Sequence, residues 1–183
     1  MVKHPKESIK SYMSKFKYDL GIIGLGYVGL PLAVYSIEAG LKVFGYDINS
    51  EKVLKLNQGV SPIEDVSDKT LNSSIDSGLI FSDESKSLRD CEHIVISVPT
   101  PLTDFKPDLS YVISAAKEIA KNVVKGQIII LESTTYPGTT LEVLIPEIQK
   151  ISDLKPGEDI FFGYSPERID PGNKEWNFKN TPK

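Results

Sequence analysis

With 183 residues, of which 40% are hydrophobic and 25% charged, the chain can form one domain with a real core but not two of ordinary size. Its 21 Lys and Arg against 25 Asp and Glu leave a formal charge of −4, so composition provides no broad basic face for nucleic acid. One cysteine and two histidines exclude an internal disulfide framework and a Cys/His zinc cluster.

Residues 1–16 are polar and Lys-rich, without an apolar period, and read as a flexible tail. The uncharged stretch Leu20 to Ile37 has nearly the length of a membrane span. Gly21, Gly24, Gly26, Gly29 and Pro31 punctuate it, however, and a strand, a tight turn and a helix explain it better. Strands are expected at Leu20–Ile23, Lys42–Tyr46, His93–Val98, Gln127–Leu131 and Ile160–Tyr164, with a small one at Leu79–Phe81. Between them, helices are expected at Val28–Ala39, Glu51–Asn57, Ser67–Ser77 and Thr139–Ile151. The clearest helix follows Asp108 as N-cap, repeats apolar residues from Val112 to Val123, and ends at Lys125 and Gly126. Short apolar strands separated by helices predict an α/β fold around a buried, mostly parallel sheet. After Tyr164 the sequence turns polar and Pro-rich and reaches Lys183 without a closing element.

Gly24-Leu25-Gly26-Tyr27-Val28-Gly29 stands directly after the first strand and before a helix. In such a βαβ unit Gly24 permits the turn, Gly26 lets a pyrophosphate approach the backbone, and Gly29 lets helix and strand lie close. The helix N-terminus supplies N–H groups for the anion. Asp47 ends the second strand 18 residues after Gly29, where a carboxylate accepts hydrogen bonds from the adenosine ribose. A 2′-phosphate there would meet repulsion of about 4 kcal/mol per charge pair at 4 Å. The expected cofactor is therefore NAD, and Lys52 is either a ribose contact or a solvated charge.

Three further loops follow strand ends: Val98-Pro99-Thr100-Pro101-Leu102, Glu132 to Gly138, and Ser165 to Asn173. With GLGYVGLP, GYDIN, SVPTP, ESTTYPGTT and SPERIDPGN, the chain resembles the nucleotide-sugar 6-dehydrogenases, whose members act on UDP-glucose, GDP-mannose and UDP-N-acetylhexosamines. The resemblance spans Leu20 to Lys183 and implies a Rossmann-like doubly wound domain, the N-terminal NAD-binding half of a longer protein. On this basis residues 17–165 form the NAD-binding domain, and 166–183 a substrate-side loop leading to segments beyond the chain.

The resemblance also implies that Gly24, Leu25, Gly26, Tyr27, Val28 and Gly29 hold the pyrophosphate, Asp47 and Lys52 the ribose, and Val98, Thr100, Thr134 and Thr135 the nicotinamide side. Thr135 and Glu167 would act in catalysis, with Glu167, Arg168 and Asp170 toward the substrate. The family oxidises a sugar C6 alcohol to a carboxylate with two NAD⁺, through a thioester on a cysteine that would lie downstream of Lys183. The Arg168-Ile169-Asp170-Pro171 loop looks most like the UDP-N-acetylglucosamine type, with UDP-N-acetylmannosamine and UDP-glucose as alternatives. A homo-oligomeric, cytoplasmic full-length protein that binds a UDP-sugar and engages neither nucleic acid nor membrane is implied as well. Two readings compete: a non-catalytic nucleotide-binding module, and a β-hydroxyacid-type dehydrogenase, against which SPERIDPGN speaks. Cys91, with Asp90 and Glu92 beside it, and His93 are expected to be structural.

Overall fold

The computed structural model describes residues 15–103 and 106–168. Most of the expected tail and of the substrate-side loop, Asp170 included, lies outside the described residues. In chain order the elements are β1 (Tyr18–Ile23), α1 (Gly29–Glu38), β2 (Val43–Tyr46), α2 (Ser50–Asn57), α3 (Asp68–Asp76) and β3 (Ile80–Ser82). A 3₁₀ turn (Ser85–Asp90) leads to β4 (Cys91–Ile96), β5 (Leu102–Thr103), β6 (Lys106–Pro107), α4 (Ser110–Asn122) and β7 (Ile128–Leu131). A π turn (Thr140–Leu144), α5 (Ile145–Gln149) and β8 (Phe161–Tyr164) follow.

Six strands form one sheet in the order β3-β2-β1-β4-β7-β8, and every pair in it is parallel. Neighbouring residues on each strand serve opposite faces, so both faces bury apolar side chains. Ile22, Val43 and Val95 join Leu30, Val34, Leu56 and Leu71 in one cluster. Ile23, Phe44, Ile94 and Ile96 join Val112, Ile119, Leu144 and Ile148 in the other. At roughly 2 kcal/mol for each fully buried aliphatic side chain, these two layers are the main favourable contribution to folding. The order reverses between β1 and β4, because the chain winds from β1 toward β3 and then returns to build β4, β7 and β8. That reversal opens a crevice at the carboxyl ends of β1 and β4, where such sheets bind ligands.

The uncharged stretch Leu20 to Ile37 is indeed divided between β1, the glycine turn and α1. No helix among the described residues is long and apolar enough to cross a membrane. Several boundaries differ from the sequence expectation for identifiable reasons. Leu109, not Asp108, is the cap residue of α4, and Asp108 Oδ1 instead accepts the Ser110 N–H at 2.9 Å. The helix stops at Asn122 because Val123 is already extended, and Gly126 (φ +93°) serves the turn into β7 rather than a helix cap. Gln127 fixes that turn from within: fully buried, its amide accepts the Val124 N–H at 2.8 Å and donates to the Leu88 and Cys91 carbonyls at 2.8 and 2.6 Å. The single helix expected over Thr139–Ile151 is a π turn followed by α5, and Pro146 at the junction lacks the N–H that a regular helix would offer to Glu142. The fourth strand begins at Cys91, two residues before His93, and ends before Val98, and the small antiparallel hairpin β5–β6 was not expected.

Candidate functional site

The turn after β1 is shaped by contacts that a side chain would destroy. Gly24 has φ +93°, and a Cβ there would lie 2.9 Å from the Ser97 carbonyl oxygen. At Gly29 a Cβ would meet the Gly24 carbonyl oxygen at 1.9 Å and Ser97 Oγ at 2.5 Å. Gly26 differs: nothing lies within 4 Å of where its Cβ would be. Two glycines are thus required by the protein's own packing, and the third faces open space in the cleft.

Helix α1 starts at this turn without a side-chain cap and with no acidic residue in its first turn, so its positive end faces the cleft uncompensated. Ser97, at the end of β4, supports the turn from beneath: its Oγ lies 3.0 Å from the Gly24 carbonyl and 3.1 Å from that of Ile23, within donating distance of each. Ser133 ties the next loop in the same way, donating to the Val98 carbonyl at 2.7 Å. Thr100 Oγ1 donates to the Thr134 carbonyl at 2.6 Å, which joins the loops after β4 and β7.

Asp47 is nearly buried at the end of β2. Its Oδ2 accepts the Leu25 N–H at 2.9 Å and the Lys52 ammonium at 2.7 Å, and Oδ1 accepts the Asn49 N–H at 3.0 Å. Lys52 is therefore tied to the site rather than solvated, because Asn49 Oδ1 caps α2 at the Lys52 N–H and sets the helix so that Lys52 reaches back. Each Asp47 oxygen retains acceptor capacity beyond these partners.

The cleft brings Gly24, Leu25, Gly26, Tyr27, Val28, Asp47, Lys52, Val98, Thr100, Thr134 and Glu167 together. Gly29 lies beneath it as the helix start. Thr135 lines a neighbouring hollow with Gly138, Leu141 and Tyr164, outside the cleft itself. Arg168 is exposed directly after Glu167, and its N–H donates to Glu167 Oε1. On the other side of Asp47 the cleft continues into a second hollow lined by Ile48, Val98, Pro99, Tyr111 and Glu118. Sequence reasoning missed Ser97, Asn49, Tyr111 and Glu118. Asn49 alone carried a local signal, as an Asn just before a helix.

Cys91 and His93 lie at the opposite, amino-terminal end of β4. His93 Nδ1 is 3.1 Å from the Asp19 carbonyl oxygen. Burial first, and then the Asp90 charge, push the Cys91 thiol from 9.0 up to about 12. At pH 8 Cys91 is thus expected to resist maleimide in the folded protein and to react once denaturant is added. Because its folded value lies above the unfolded one, the thiol's contribution to stability is complete below pH 9 and is lost as pH rises from 9.0 to about 12. Urea midpoints at pH 8 and pH 10.5 check this, since Cys91→Ala removes that part of the alkaline loss.

The sequence profile described as "UDP-glucose/GDP-mannose dehydrogenase family, NAD binding domain" matches residues 18–183. The chain belongs to this family. It is 42% identical over 167 residues to the UDP-N-acetyl-D-glucosamine 6-dehydrogenase of Pseudomonas aeruginosa, covering 90% of this chain and 38% of that protein. Among solved structures of the family, the UDP-D-ManNAc dehydrogenase of Pyrococcus horikoshii superposes with a TM-score of 0.78 at 37% identity. It covers 84% of this chain and 37% of that one. A ternary complex of GDP-mannose dehydrogenase from Pseudomonas aeruginosa superposes with a TM-score of 0.77 at 30% identity, with the same coverage of each chain. The chain thus spans somewhat over a third of the length of these dehydrogenases and corresponds to their NAD-binding domain. The open space at Gly26, the uncapped helix start and the Asp47 carboxylate fit that cofactor.

Proposed function

We propose that this domain forms the NAD⁺ site of an enzyme that oxidises the C6 alcohol of UDP-N-acetylglucosamine to the uronate. Its first support is the 42% identity to the Pseudomonas aeruginosa UDP-N-acetyl-D-glucosamine 6-dehydrogenase. The observation that carries the reading is that Glu167 lines the same cleft as Gly26, Thr100 and Thr134, a carboxylate near the residues we assign to the nicotinamide side of a dinucleotide cradle. When bound, NAD⁺ accepts hydride. Gly24 to Gly29 hold its pyrophosphate against the start of α1, and Asp47 with Lys52 orients the adenosine ribose. Val98, Thr100 and Thr134 bound the nicotinamide end. Glu167 exchanges protons with substrate and water, Thr135 assists from the adjoining hollow, and Arg168 with Asp170 meets the sugar nucleotide. Alcohol to carboxylate removes four electrons, hence two NAD⁺ per sugar. Residues 17–165 constitute the cofactor domain. The nucleophile and the oligomer interface belong to the remainder of a longer, cytoplasmic polypeptide.

The likeness to the Pyrococcus horikoshii UDP-D-ManNAc dehydrogenase supports a second substrate, UDP-N-acetylmannosamine. Absorbance at the NADH band, followed for the protein carrying the remaining domains, separates the two. Two NADH per UDP-N-acetylglucosamine are expected, and no sustained turnover by residues 1–183 alone. Activity on UDP-N-acetylmannosamine only would transfer the assignment to the second substrate. Absence of activity on either, and on UDP-glucose, would refute the proposed reaction.

A further inference from the structure

We propose that Glu118 is a specificity residue for the cofactor's base: its carboxylate accepts the exocyclic amine of adenine and disfavours a purine that carries a 6-oxo group. The inference rests on reading the cleft as the NAD⁺ site. With the ribose at Asp47 and the pyrophosphate at Gly26, the base enters the hollow on the far side of Asp47. Ile48 and Tyr111, 71% and 49% exposed, stand at this hollow, as apolar walls would for a flat ring that removes them from water.

The charged group that α4 adds to the hollow is specific in kind and orientation. Tyr111, Ser114, Ala115 and Glu118 stand at positions i, i+3, i+4 and i+7, on one face of α4, and all line it. Ser85 donates to Glu118 Oε2 at 2.7 Å and Lys121 to Oε1 at 2.6 Å. Asn122 in turn donates to Ser85 Oγ at 3.2 Å and to the Glu118 carbonyl at 3.0 Å. The carboxylate is therefore held in place, only 22% exposed, with acceptor capacity left on each oxygen. Burial opposes its ionisation, but the hydrogen bonds from Lys121 and Ser85 outweigh burial and keep the carboxyl below its ordinary value. An ionised carboxylate only accepts. Adenine offers two N–H donors at position 6, whereas hypoxanthine offers an oxygen whose lone pairs meet the carboxylate's own.

Nicotinamide hypoxanthine dinucleotide, which differs from NAD⁺ only in the base, is the probe. Calorimetric titration of the 183-residue chain is expected to show NAD⁺ binding about tenfold more tightly, the size of one charge-assisted hydrogen bond at a partly exposed site. Glu118→Gln is expected to bring the two ligands within about twofold, because an amide both donates and accepts. Ser85→Ala, which removes only the support at Oε2, is expected to narrow the ratio to about threefold and serves as the test should the first variant unfold. A role confined to helix stability would change both affinities together and leave their ratio intact. Equal binding by the wild type, or a tenfold ratio retained in Glu118→Gln, overturns the inference while leaving the cofactor site standing. If the wild type binds neither dinucleotide, the reading of the cleft itself falls.

Discussion

Gly26→Val is expected to fold normally and to lose NAD⁺ and NADH affinity by about 100-fold or more. No protein atom lies within 4 Å of the position its Cβ would take, and Gly26 is not among the residues with positive φ, so the native backbone accepts the side chain. The isopropyl group would instead occupy the path of the pyrophosphate. Each charge-assisted hydrogen bond lost there is worth roughly 1.5–3 kcal/mol, and two of them account for the factor. Gly29→Val provides the contrast. Its Cβ would lie 1.9 Å from the Gly24 carbonyl oxygen, so the turn must break and the melting temperature must fall. Thermal melts by circular dichroism, paired with NADH fluorescence titration, separate the two outcomes. A folded Gly26→Val protein that binds NADH normally would remove the phosphate from this turn.

Asp47→Asn is expected to raise the affinity for NADP⁺ relative to NAD⁺ by about 100-fold, equivalent to roughly 2.7 kcal/mol. The wild-type carboxylate repels a 2′-phosphate by about 4 kcal/mol per charge pair at close range. The predicted change is smaller than that because Lys52, 2.7 Å from Oδ2, already offsets part of the charge. In the variant the ammonium remains with no carboxylate beside it, and a 2′-phosphate becomes a suitable partner. Some stability is lost as well, because the acceptor that ties Leu25 and Asn49 to β2 loses its charge. Titration of both proteins with both cofactors decides the matter. Equal affinity of the wild type for NAD⁺ and NADP⁺ would show that Asp47 does not face the ribose 2′ position.

Both expectations start from residues whose place in the chain already marks them. Gly24, Gly26 and Gly29 follow an apolar strand, and Asp47 ends the next one. The positive φ of Gly24 and the close approach of Gly29 to the Gly24 carbonyl are limits that act over a few residues, so spacing conveys them, although Ser97 adds to both from afar. The same holds for the strands, whose apolar runs reflect burial on both faces. Boundaries were less legible where a distant group decides them. The end of α4 at Asn122 depends on Gln127, whose buried amide gathers Val124, Leu88 and Cys91, two of them more than 30 residues away in sequence. Likewise Ser97, directly after β4, directs its hydroxyl toward the Gly24 and Ile23 carbonyls, more than 70 residues away in sequence.

The sequence by itself therefore determined the α/β class, the glycine turn and its acidic partner, and the family resemblance, since each is written in short-range spacing. Which residues share a cleft was decided only by the tertiary structure. The crossing of the chain between β1 and β4 brings Gly26 together with Thr134 and Glu167, and turns Thr135 into the next hollow. It also brings Glu118 of α4 into the same hollow as Asp47, which follows β2, a juxtaposition that no local pattern encodes. Local propensity acts along the chain, whereas the juxtaposition of loops follows from how helices of given length pack across the sheet, and that is a property of the whole fold.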